Sequence, residues 1–178
     1  CEGLRGSTVH FDTSSVGATE NVMMAATLAE GTTVIENAAR EPEIGALADF
    51  LRAMGAGING DGTGTIVVEG SSGLHPADVE IIPDRIETGT FMVAIALTGG
   101  DVLMRGARLD HATAVAMKLR EAGTEISEED GGLRIRGPVW AKAVNVTTAP
   151  YPGFPTDMQA QFMALMSVAS GSSVITET

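Results

Sequence analysis

The chain repeats itself. Leu28-Ala-Glu-Gly-Thr-Thr-Val34 has counterparts in Leu97-Thr-Gly-Gly-Asp-Val-Leu103 and Val168-Ala-Ser-Gly-Ser-Ser-Val174, so Gly31, Gly100 and Gly171 fall at one point of a pattern that recurs after 69 and 71 residues. Two further stretches keep the register. Met54-Gly-Ala-Gly-Ile58 matches Ala122-Gly-Thr-Glu-Ile126, and Ile66-Val-Val-Glu-Gly70 matches Leu133-Arg-Ile-Arg-Gly137. A period of this length marks an array whose units cannot bury their apolar faces alone and must stack.

Within each repeat the pattern reads helix, glycine turn, strand, loop, second helix, glycine turn, strand, hairpin, strand. Val22, Met23, Ala26 and Leu28 recur with helical spacing and predict a helix over about 16–30, closed by Gly31. Thr32–Glu36 is rich in β-branched residues and predicts a strand. Pro42 opens a helix to about Met54, with Ile44, Leu47, Ala48 and Leu51 on one face. Short strands follow near Ile58 and over Thr65–Glu69. The second repeat predicts helices near 85–97 and 111–122, and the third one helix near 157–169 before a last strand. A boundary is expected at Ile82-Pro83-Asp84. Two and a third repeats are present, so apolar faces intended for further repeats are expected to be exposed, with marginal folding or self-association when the chain is made alone.

Composition narrows the function. Hydrophobic residues make up 44% of the 178 residues and charged residues 19%, which is globular rather than disordered. The apolar run Phe91–Leu97 is far short of the roughly 20 residues of a membrane span. A formal net charge of −12 argues against nucleic acid and anionic membrane surfaces as partners. One cysteine excludes an internal disulfide and suits a reducing cytoplasm. No signal peptide is visible, and neither end reads as a domain terminus, so a fragment is expected.

Gly60-Asp-Gly-Thr-Gly64 has the look of a phosphate loop, but a strand follows where a helix should, so a hairpin turn is expected. Asn145-Val-Thr147 matches a glycosylation acceptor without a secretory context. His10, His75 and His111 lack metal-ligand spacing, and Cys1 has no adjacent activator. The helix starts carry more. Ser15-Val-Gly-Ala18 offers a capping serine and unpaired backbone N–H groups, which fits either a plain N-cap or a phosphate site. Asp84-Arg-Ile-Glu87 and Thr156-Asp-Met-Gln159 have capping form, and Glu41-Pro-Glu43 puts negative charge at a helix start. For Asp157 a capping role and a functional role both stand.

Taken in order, Ser15-Val-Gly-Ala-Thr19, Ala25-Ala-Thr-Leu-Ala-Glu-Gly-Thr-Thr33, Ile35-Glu-Asn-Ala-Ala-Arg-Glu-Pro-Glu-Ile44, Pro83-Asp-Arg-Ile-Glu-Thr-Gly-Thr-Phe91, Phe154-Pro-Thr-Asp-Met-Gln-Ala-Gln161 and Ile175-Thr-Glu-Thr178 resemble the enolpyruvyl transferase family. The likeness spans essentially the whole chain and is closer to the branch that acts on UDP-N-acetylglucosamine than to the shikimate branch. It implies an α/β fold of βαβαββ units, an incomplete two-domain inside-out α/β barrel, with residues 1–83 ending one domain and 84–178 forming part of a second. It implies transfer of the enolpyruvyl group of phosphoenolpyruvate to the sugar 3-hydroxyl, with release of phosphate and with neither metal nor organic cofactor, in the bacterial cytoplasm. By position it assigns Asp157 as the base on that hydroxyl, with Thr156 its pocket neighbour. Ser15, Val16 and Gly17 fall in the UDP-sugar segment, and Thr13 stands where many members carry lysine. Glu41, Asp84 and Arg85 are implied to line the cleft. The loop acid and the cations that grip phosphoenolpyruvate are implied to lie outside these residues, so the chain alone is expected to have no turnover.

Overall fold

The computed structural model describes residues 3–178; Cys1, weighed above as a nucleophile, lies outside the described residues. The chain divides into two compact units, Cys1–Ile82 and Pro83–Thr178.

The first unit runs β1 (Thr8–His10), α1 (Val16–Ala26), β2 (Thr32–Glu36), α2 (Pro42–Ala53), β3 (Gly57–Asn59) and β4 (Thr65–Glu69). Its four-stranded sheet has the order β1-β2-β4-β3, with β1 parallel to β2 and the other pairs antiparallel. Alternation in β2 and β4 sends Thr33, Ile35, Ile66 and Val68 inward, onto Met23 of α1 and Ile44, Ala48 and Leu51 of α2. Each fully buried Ile contributes about 1.5–3 kcal/mol. The 60–64 glycines form the β3–β4 hairpin turn. Gly60 and Gly62 adopt positive φ, and the Thr63 N–H donates to the Gly60 carbonyl at 3.0 Å.

The second unit runs α3 (Arg85–Thr98), β5 (Asp101–Arg105), α4 (Thr113–Glu121), β6 (Glu125–Glu129), β7 (Gly132–Arg136), β8 (Val146–Thr147), a 3-10 turn (Thr156–Met158), α5 (Gln159–Met166) and β9 (Ile175–Thr176). Strands β5-β7-β6 make an antiparallel sheet, and β8 pairs with β9 in parallel. Leu133 and Ile135 of β7 point into a core of Met92, Leu119, Met158, Phe162 and Leu165. Phe154 meets Phe162 edge to face at 5.4 Å. On the opposite face of β7, Arg134 and Arg136 both pair with Asp101 and hold its carboxyl below the usual carboxylate range.

Gly31 does not close α1 as expected. That helix ends at Ala26, where the Thr27 hydroxyl donates to the Met24 carbonyl at 2.7 Å, and Gly31, at φ +90°, turns the chain into β2. In the second repeat the closing residue is Gly99 at φ 72°, one place before the aligned Gly100. The first helix of each repeat, with the turn that follows it, does leave apolar side chains in solvent: Met24 and Leu28, Phe91 and Leu97, Met163 and Val168.

One arginine device recurs. Arg52, near the end of α2, donates through Nε to the Ile58 carbonyl at 2.9 Å and pairs with Asp61 and Asp49. Arg120, 68 residues on, donates to the Ile126 carbonyl at 2.9 Å. We expect Arg52→Ala to lower the unfolding free energy of the chain by about 1–3 kcal/mol in urea titration, and Arg120→Ala by less, since among the described residues it makes the carbonyl bond without paired carboxylates.

Candidate functional site

In the first unit the site residues gather where α1 begins. Ser15 is the N-cap of α1, and its hydroxyl accepts from the Ala18 N–H at 3.3 Å. That leaves the amides of Val16 and Gly17 with no acceptor among the described residues, at the positive end of the helix dipole. Gly17 is exposed, and a Cβ there would meet nothing within 4 Å, so the approach to these amides is open. Val16 packs its side chain on the core, and Thr13 is exposed. Behind them the Thr19 hydroxyl donates to the Ser15 carbonyl at 2.8 Å and accepts from the Ala39 N–H at 3.0 Å, which ties the α1 start to the loop before α2. Glu41 ends that loop. Its carboxylate makes no helix cap and instead accepts from the Arg40 N–H at 2.9 Å. Ser15→Ala is expected to cost about 1 kcal/mol in chemical denaturation, and Ser15→Gly only a few tenths.

The second unit brings Asp84, Arg85, Thr156 and Asp157 onto adjoining elements. Asp84 caps α3 as expected, one carboxylate oxygen accepting from the N–H groups of Ile86 at 2.7 Å and Glu87 at 3.1 Å. Arg85, half-buried, borders a cavity of about 320 Å³. Its wall runs from Arg85 and Ile86 through His111 and Thr113 at the start of α4 to Tyr151 and Pro155. Asp110 also lines it, and the hydrogen-bonded Arg108 guanidinium holds the Asp110 carboxyl below its ordinary range. A depressed carboxyl stabilises the fold above the ordinary carboxylate pKa. This contribution is lost as pH falls through the lowered value, so an Asp110→Asn chain is expected to show a shallower acid-side loss of stability in a pH series of melts.

Thr156 does not form the capping box its motif predicts. It lies inside the 3-10 turn, and its hydroxyl donates to Glu177 Oε1 at 2.8 Å. The box fails because the helix proper starts at Gln159 with Met158 at the cap position, so Thr156 stands two residues too early to be its cap. Asp157, next along, is exposed, and its carboxylate has no hydrogen bond or ion pair among the described residues. It does not cap the helix. The next side chain, Met158, is fully buried. Thr90, Gln161 and Glu177, which hold this turn, are not marked as site residues by any local motif. The clue in the sequence is that Thr90 and Gln161 are polar residues at equivalent places, 71 apart, in the first helices of successive repeats.

This arrangement of strands and helices is the enolpyruvyl transferase fold. The chain superposes on the crystal structure of the enolpyruvyl transferase NikO from Streptomyces tendae with a TM-score of 0.84 at 24% identity, covering 99% of this chain and 45% of that one. The chain belongs to the EPSP synthase (3-phosphoshikimate 1-carboxyvinyltransferase) family, whose model matches residues 2–178. It is 56% identical over 176 residues to a UDP-N-acetylglucosamine 1-carboxyvinyltransferase of Trichlorobacter lovleyi, and 59% identical over 175 residues to UDP-N-acetylglucosamine 1-carboxyvinyltransferase 1 of Caldanaerobacter subterraneus. It spans 42% of the length of each of these relatives. No described helix is long and apolar enough to cross a membrane.

Proposed function

We propose that these residues are a portion of a UDP-N-acetylglucosamine 1-carboxyvinyltransferase, acting in bacterial peptidoglycan synthesis in the cytoplasm. The observation that carries the reading is the exposed carboxylate of Asp157, without a partner among the described residues, on a turn anchored from both sides. Fixing a lone carboxylate in this way suits a group that must accept a proton from a bound substrate.

In the proposed reaction the sugar 3-hydroxyl oxygen bonds to C2 of phosphoenolpyruvate while Asp157 takes the hydroxyl proton. C3 of phosphoenolpyruvate gains a proton as its double bond is used. The tetrahedral adduct then loses a proton from C3, the double bond re-forms, and the C2–O bond to phosphate breaks. Atoms and charge balance without a metal or organic cofactor. The open amides of Val16 and Gly17, with Ser15 and Thr13 beside them, offer donors to the UDP-sugar. Thr156, Glu41, Asp84 and Arg85 are assigned supporting places. The donor to C3 and the cations for phosphoenolpyruvate are assigned to parts of the relatives that this chain does not cover. The net charge of −12 supports that division, because two anionic substrates need cationic clamps.

The test is a hybrid in which these 178 residues replace the matching stretch of the Trichlorobacter lovleyi relative. Phosphate release from phosphoenolpyruvate should require UDP-N-acetylglucosamine, and the 178 residues alone should show none above a buffer blank. A hybrid that works with shikimate 3-phosphate instead would assign the other acceptor. A folded hybrid that binds neither acceptor would mark a non-catalytic module.

A further inference from the structure

We infer that Thr90 and Gln161 are a positioning pair that fixes the Asp157 turn against the start of α3; this rests on the reading of Asp157 as the base. The two residues are 71 apart, the same offset that relates Gly100 to Gly171, so they occupy equivalent places on the first helices of successive repeats. Those helices, α3 and α5, pack side by side. The Gln161 side-chain amide donates to the Thr90 hydroxyl oxygen at 3.0 Å, and the Thr90 hydroxyl donates to the Ile86 carbonyl at 2.7 Å. A continuous chain of bonds therefore runs from α5, one turn beyond Asp157, to the first turn of α3, where Asp84 and Arg85 stand.

Met158 completes the clamp. It follows Asp157 directly, is fully buried, and brings its sulfur to 3.9 Å from the Thr90 hydroxyl oxygen. A Cβ on Gly89 would stand 2.9 Å from that sulfur, so the notch in α3 that receives Met158 exists because residue 89 is glycine. Asp157 is thus bracketed by Thr156 on Glu177, by Met158 in the notch and by Gln161 on Thr90, while its own carboxylate stays uncommitted.

One detail separates positioning from mere stability. Gln161 Oε1 is buried and has no partner among the described residues. An amide with one end satisfied and the other orphaned in the interior is a poor way to stabilise a helix pair, and an apolar side chain of similar size serves that purpose as well or better. What the amide adds is a directional bond that sets the register of α5, and with it the Asp157 turn, on α3.

The test uses the active hybrid. Gln161→Leu and Thr90→Val should each lower kcat about ten-fold, the scale expected when a reacting group is displaced by a fraction of an ångström. KM for UDP-N-acetylglucosamine should stay within about two-fold, as for loss of an interaction felt in the transition state. The melting temperature of Gln161→Leu should be unchanged or higher. The double variant should be no worse than either single one, and Thr90→Ser should retain kcat. In the 178-residue chain, both substitutions should speed amide exchange at 158–161 relative to Leu133–Ile135. Unchanged kcat in both variants, or a kcat loss that follows lost folded protein, would overturn the proposal. Asp157→Asn separates the two readings. If it leaves kcat intact, the assignment of the base fails; if it abolishes turnover while Gln161→Leu does not, only the positioning pair fails.

Discussion

Asp157→Asn in the hybrid is expected to lower kcat by about 10²- to 10⁴-fold, the range that a positioned general base contributes. It should leave the melting temperature essentially unchanged. Both halves of that result come from the same geometry. The carboxylate makes no hydrogen bond or ion pair among the described residues, so its replacement by an amide of equal size breaks nothing in the fold. The anchoring is done by its neighbours, through Thr156 on Glu177 and Met158 in the core. Asp84 makes the contrasting case. Its carboxylate is committed to two helix amides, so Asp84→Ala is expected to lose about 1–2 kcal/mol of stability whatever it does to turnover. Steady-state kinetics and a thermal melt on both variants give the comparison. An Asp157→Asn hybrid with full kcat would remove the base from the proposed mechanism, and one that melts far lower would return Asp157 to a structural role.

The parts of this fold legible in the sequence are those set by side-chain type and periodicity over several residues. Thr32–Glu36 and Thr65–Glu69 are rich in β-branched residues and form strands at those bounds. Pro42 opens α2 and the Ile44, Ala48, Leu51 face is buried. What could not be read depends on partners distant in sequence. Strands β1 and β8, of three and two residues, are too short to carry a pattern and form because β2 and β9 offer parallel edges. Helix ends were misplaced because a local competitor, the Thr27 hydroxyl, stops α1 before the glycine that marks the turn. The site followed the same division. Ser15 and Asp84 cap their helices through bonds to residues two or three along, which a local motif can express. Thr156 does not cap because the helix starts beyond it at Gln159, and its hydroxyl finds Glu177, 21 residues away, instead. The isolation of Asp157 is a property of what surrounds the turn, and no local pattern states it.

Gly70→Ala and Gly137→Ala are expected to be among the most damaging substitutions outside the site. Neither glycine is needed for a left-handed backbone; each is needed for closeness. Gly70 follows β4 and passes against the turn after α1, where its N–H donates to the Gly31 carbonyl at 2.9 Å and a Cβ would overlap the Ala29 carbonyl oxygen. Gly137 follows β7 and crosses the end of α3, where its N–H donates to the Gly100 carbonyl at 2.8 Å and a Cβ would sit 2.9 Å from Gly99 Cα and overlap the Ile95 carbonyl oxygen. The obstacle in both places is backbone, which cannot rotate aside as a side chain would. Relief requires the strand to lift from the helix end, breaking the bonds that hold it there, and we expect a loss of about 3 kcal/mol or more for each. Amide exchange should accelerate at Ile66 and Val68 in Gly70→Ala, and at Leu133 and Ile135 in Gly137→Ala. The clash falls at the C-terminal end of α3, on Ile95 and Gly99, away from Asp84, Arg85 and Thr90 at its start. A Gly137→Ala hybrid should therefore lose turnover in proportion to lost folded protein, with the kcat of the folded fraction preserved. Gln161→Leu should do the reverse, keeping the protein folded while kcat falls. If Gly137→Ala instead lowered kcat in fully folded protein, the crossing at the end of α3 would itself be part of what positions the site.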